Sequence, residues 1–188
     1  MKKLITLILI LALALPALAL AEYSPKLGMR LDEFINKYNA ISAPLESPYK
    51  SINNPSSWTK YDIYDVAWFS PANNSSATIL LLSADPGAGH VLSRGLDMVQ
   101  IFIKNDADFV DLISITSRCA ELFAPSFLGT SMGNLIITNL MKYYYENNYK
   151  KSGGYVYNAL NEDNTIQLQF FKADGYYYFS ICQAEVEK

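Results

Sequence analysis

Histidine and cysteine are almost absent: His90, Cys119 and Cys182 are the only three in 188 residues. That scarcity excludes more chemistry than any other feature. A structural zinc site draws its ligands from cysteine and histidine at short, regular spacing, and no such cluster occurs, so no metal or cofactor is expected. A serine nucleophile needs a histidine within reach as its base, which leaves a hydrolase reading dependent on His90 alone. The segment Asp85-Pro86-Gly87-Ala88-Gly89 ahead of it lacks the lysine and Ser/Thr that close a phosphate-binding loop. A turn leading into a strand fits it better. Basic residues are also outnumbered, 15 Lys and Arg against 18 Asp and Glu. A dispersed acidic balance gives nucleic acid no basic face to bind.

What is present begins at the N-terminus. Lys2 and Lys3 precede an apolar stretch from Leu4 to Leu15, then Pro16 and small residues, which is the order of a secretory signal peptide. Ala17-Leu18-Ala19 and Ala19-Leu20-Ala21 supply small-x-small cleavage sites, and the second leaves Glu22 first. No cysteine follows either, so lipid attachment is not expected, and the charged tail Ala184 to Lys188 offers no second anchor. The expected location is secreted or periplasmic, with no membrane span in the mature form. Removing 21 of the 188 residues leaves 167, and losing Lys2 and Lys3 leaves 13 basic residues against 18 acidic ones, a balance of −5. That length suits a single α+β domain over 22–188.

Periodicity supplies the elements. Leu31, Phe34, Ile35 and Tyr38 recur at i, i+3, i+4 and i+7, one apolar helix face. Pro44 to Ser57 reads as a loop. Strands are expected over Lys60 to Ser70, Ala77 to Ala84 and His90 to Lys104, the last broken at Gly95. Phe109, Leu112, Ile113, Thr116, Cys119, Ala120 and Phe123 mark a helix ending before Pro125, and a further helix spans Asn134 to Asn147. Asp106 and Asp108 are placed to cap the first of these. After Ser152-Gly153-Gly154 come strands over Tyr155 to Leu160, Thr165 to Lys172 and Tyr176 to Gln183. The turns Asn161 to Asn164 and Ala173-Asp174-Gly175 join them as hairpins.

The order is helix, three strands, helices, three strands: an antiparallel sheet with helices on one face, and a pseudo-repeat with halves 22–104 and 105–188. With Gly28-Met29-Arg30-Leu31-Asp32-Glu33-Phe34 ahead of the first hairpins, the chain resembles small exported bacterial proteins built of tandem helix-plus-sheet units. In outline it is similar to the beta-lactamase inhibitor protein fold and to small outer-membrane assembly lipoproteins. The resemblance implies topology only. The lipidated relatives carry an N-terminal cysteine that is missing here, and no binding residue carries over.

Gly129-Thr130-Ser131-Met132-Gly133 is a literal G-x-S-x-G. In hydrolases that motif follows a strand and the histidine follows the serine, whereas His90 precedes Ser131 and a helix runs up to Phe123. Thr130 or Ser131 as a helix cap is the plainer reading. A bond between Cys119 and Cys182 would close a loop of about 64 residues, worth roughly 4 kcal/mol in the chain-entropy model. It requires Tyr178, Ser180 and Cys182 to face the helices. If Tyr177, Phe179 and Ile181 face them instead, both thiols stay free.

Fourteen tyrosines stand out, crowded toward the last third. By alternation, Tyr155 with Tyr157, Gln167 with Gln169, and Tyr176 with Tyr178 lie opposite Ile166, Leu168, Phe170, Phe179 and Ile181. If that is the face left uncovered, they form a polar-aromatic sheet surface suited to a protein partner or a cell-envelope glycan; the alternative is that they cover the second layer of an ordinary core. The expected function is an exported, non-catalytic binding protein using that face. A carbohydrate-binding module and a small secreted serine hydrolase using Ser131 are the alternatives.

Overall fold

The computed structural model describes residues 25–42, 59–61, 64–69, 77–85, 93–104, 108–124, 129–149 and 154–184. The expected signal segment, the 44–57 loop, the 71–76 connector, Asp106 and His90 lie outside the described residues. In chain order the elements are α1 (Leu31–Ser42), β1 (Thr59–Tyr61), β2 (Tyr64–Phe69), β3 (Thr78–Ser83), β4 (Met98–Ile103), α2 (Phe109–Glu121), α3 (Gly129–Glu146), β5 (Val156–Ala159), β6 (Ile166–Ala173) and β7 (Tyr176–Gln183). The class is α+β, and no helix among the described residues is long and apolar enough to cross a membrane.

The seven strands form one sheet in the order β1-β2-β3-β4-β7-β6-β5, antiparallel at every step. Each half is a meander, and the two meet where β4 pairs with β7, Gln100 opposite Ser180. The helices lie on one face: α2 crosses β4 and β7, while α3 covers β5 and β6. α1 joins that layer through Phe34, whose ring stacks on Phe123 at 6.1 Å. Between helices and sheet sits the main core, with Ile79, Leu81, Val99, Ile101, Leu168, Phe170, Phe179 and Ile181 all fully buried. Tyr144 of α3 meets Phe170 edge-on at 5.0 Å, and its neighbours Tyr143 and Tyr145 point to solvent.

Several boundaries differ from the sequence reading, each for a local reason. The strand expected over Lys60 to Ser70 is two, since Tyr61 faces Tyr64 across a reversal. The intervening Asp62-Ile63 contains none of the glycine or asparagine that normally marks a tight hairpin. β4 starts only at Met98 because residues 94–96 pair with the segment before α1. Leu96 N–H donates to Met29 O at 2.8 Å, and Leu31 N–H donates to Arg94 O at 3.1 Å. Asp97, buried, then fixes the junction by accepting Ala84 N–H at 2.5 Å and Lys26 N–H at 3.4 Å. α3 begins at Gly129, so Thr130 and Ser131 lie inside its first turn rather than at its cap. Asp108 does stand at the N-cap of α2, but its side chain makes no cap hydrogen bond.

Two turns place the last hairpins as their residues predict. Asp174 (φ 50°) and Gly175 (φ 82°) both take left-handed conformations between β6 and β7, the requirement of a two-residue turn matched to sheet twist. Between β5 and β6, the Asn161 carboxamide accepts Thr165 N–H at 2.9 Å and Ile166 N–H at 3.0 Å.

Candidate functional site

The strand register assigns every side chain to a face. Phe170, Phe179, Ile181 and Val156 enter the helix-covered core, so their neighbours along the strands point the other way. On that opposite face Tyr157 pairs with Gln169, Gln169 with Ser180, and Ser180 with Gln100. Gln167 stands opposite Cys182, and Tyr178 lies between Phe102 and Phe171. The six residues Tyr155, Tyr157, Gln167, Gln169, Tyr176 and Tyr178 therefore share the face away from the helices.

They do not form one uniform patch. Tyr155 and Tyr157 stand at the β5 edge, 42% and 63% exposed, with ring centroids 6.2 Å apart and planes 49° from parallel. Gln167 is buried, and its amide Nε2 donates to Cys182 Sγ at 3.8 Å. Tyr176 and Tyr178 belong to an aromatic group with two further residues. Phe171 stacks on Tyr178 at 5.0 Å and 7°, and Phe102 meets Tyr178 at 5.5 Å and Tyr176 edge-on at 5.6 Å. Burial, with smaller effects from the charges of Asp174 and Tyr176, pushes the Tyr178 phenol above its ordinary pKa. Its hydroxyl is a neutral hydrogen-bonding group well past neutrality.

Beside that group the face sinks into a cavity of about 550 Å³, whose lining includes Tyr64, Val66, Leu80, Leu82, Met98, Gln100, Phe102, Phe171, Ala173 and Tyr178. Val66, Leu80 and Leu82 form a small hydrophobic cluster separate from the main core. Of the lining residues only Tyr178 was singled out from the sequence as a site residue. β3 explains the omission: Ile79 to Leu82 is apolar at every position, so its period does not distinguish the two faces.

Cys119 and Cys182 are free thiols, and the disulfide is not formed. Cys119 sits in the helix-side core, while Tyr177, Phe179 and Ile181 face that core and turn Cys182 to the other side. The sheet separates the pair. The G-x-S-x-G segment begins α3 and follows α2 in the order of elements, not a strand. Among the described residues no three His, Cys, Asp or Glu side chains converge as a metal site.

No protein-family model, no curated protein and no solved structure matches the chain.

Proposed function

We propose that this is an exported, non-catalytic binding protein that holds a partner protein on the sheet face away from its helices. Export is inferred from the Lys2-Lys3 and Leu4 to Leu15 segment. Binding is inferred from Tyr155 and Tyr157, two large exposed aromatics on the same face as Gln167, Gln169, Tyr176 and Tyr178. Tyrosine combines apolar area with a polar tip at small entropic cost, which is why it is enriched at interfaces. A protein is favoured over a glycan because the two rings are tilted by 49° and offer no single flat platform for a sugar ring.

The test is cross-linking in the producing cell. The pair of substitutions Tyr155→Ala and Tyr157→Ala should remove a discrete cross-linked species, while Tyr143→Ala, at an equally exposed tyrosine on α3, should keep it. Identical species from both variants would sink the reading, as would loss of a measured esterase activity in Ser131→Ala.

A further inference from the structure

We infer that the cavity over β2, β3 and β4 is a binding site for an uncharged, largely apolar small molecule, such as a long-chain alcohol or amide. Its polar end would rest against Gln100. This inference rests on the binding reading only in using the same sheet face, and it adds a ligand class that reading does not contain.

The first support is a breach of the usual strand pattern. An antiparallel sheet with one solvated face alternates apolar inside with polar outside. β6 follows this at Gln167 and Gln169 and departs from it at Phe171, which lines the cavity. β2 to β4 do not, placing Val66, Leu80, Leu82, Met98 and Phe102 on the face away from the helices. The floor is recessed: Val66, Leu80 and Leu82 are only 4%, 8% and 8% exposed. A flat partner surface would rest on the rim, whereas a chain or ring inserted from above reaches them. The cavity's 550 Å³ falls within the roughly 300–1,000 Å³ usual for small-molecule sites.

The second support is the polar inventory. Among the described lining residues there is no Asp, Glu, Lys, Arg or His, so a charged group inside would meet no counter-charge. Neutral hydrogen-bonding groups are available instead: the Gln100 carboxamide, and the phenols of Tyr64 and Tyr178. A ligand hydroxyl or carbonyl would pair with the Gln100 carboxamide, while the Phe102, Tyr178 and Phe171 rings wall the apolar body.

The experiment is a fluorescence titration of the folded protein with N-phenyl-naphthylamine, an uncharged apolar probe. Saturation at one site per chain is expected. Ala173→Trp, which fills the cavity at a half-buried lining position, should weaken the probe at least about tenfold at an unchanged thermal midpoint. Dodecanol should displace the probe about tenfold more effectively than dodecanoate, and Gln100→Leu should weaken dodecanol about tenfold while leaving the probe within about twofold. Absence of saturation, or binding untouched by Ala173→Trp, would overturn the site. If Ala173→Trp fails to fold, an unaltered dodecanol affinity in Gln100→Leu does the same. Equal or better displacement by dodecanoate overturns the uncharged class. The partner-protein reading stands or falls separately, on Tyr155 and Tyr157, which do not line the cavity.

Discussion

Cys119 and Tyr178 lie on opposite sides of the sheet, yet burial acts on both in the same sense. Burial pushes the Cys119 thiol far above the ordinary 9.0, and the neighbouring Arg118 charge pulls it back only in part. A thiol so held is neither a nucleophile nor easily oxidised. Denatured, non-reduced protein should therefore yield two thiols with Ellman's reagent, and native protein at pH 8 should leave Cys119 unreacted until it unfolds. A denatured count of zero would mean the pair bonds after all. For Tyr178 the folded pKa is raised above its ordinary 10.0, chiefly by burial. Its neutral form therefore stabilises the fold fully below about pH 10, and that contribution is lost as pH rises through the folded value. Cys119 works in the same direction, so the informative quantity is a difference. Between pH 9 and 11, urea unfolding of Tyr178→Phe should lose less stability than the parent. Parallel curves would contradict the assignment.

At the scale of elements, the turns and the regular stretches were legible where local chemistry is strong. Asp174-Gly175 announces a tight hairpin, and its two positive φ angles follow. Open space surrounds the position where a Gly175 side chain would stand, so Gly175→Ala costs conformation and not a clash. A loss of about 1–2 kcal/mol is expected, read as a lower urea midpoint at constant m-value. α1 was legible from Leu31, Phe34, Ile35 and Tyr38, which are all buried. β6 and β7 were legible because Gln167, Gln169 and Ser180 interrupt their apolar residues in phase. The cavity was not, for a physical reason. A run such as Ile79-Leu80-Leu81-Leu82 has no amphipathic period, and only its pairing with Met98, Gln100 and Phe102 reveals which residues face away from the helices. Likewise the β4 start depends on Leu96 and Asp97 bonding to distant backbone, which no local pattern encodes. Sequence alone located half of the face, the half that carries the tyrosines and glutamines.

For the molecule as a whole, the decisive contact is the seam between β4 and β7. The first half is a meander with one helix and the second a meander with two, but neither closes a core alone. Val99, Ile101 and Ile103 of the first half share one hydrophobic cluster with Phe179, Ile181 and α2 of the second. Sheet hydrogen bonds also run unbroken across the seam. The pseudo-repeat is thus one of arrangement, and we expect a single cooperative unit. The tryptophans make this measurable, because both, Trp58 and Trp68, belong to the first half. Phe170 lies in the second, fully buried, 4.8 Å from Phe179 and 5.0 Å from Tyr144 between ring centroids. Phe170→Leu should cost about 1.5 kcal/mol, lowering the thermal midpoint by roughly 4 °C for a chain of this size. Tryptophan fluorescence and far-ultraviolet circular dichroism should report the same shift, though the substitution lies in the other half of the chain from both tryptophans. Were the halves independent, the tryptophan transition would stay in place while part of the dichroism moved. A split of that kind would remove the seam as the organising feature of the fold, and with it the cavity, whose lining draws on both halves.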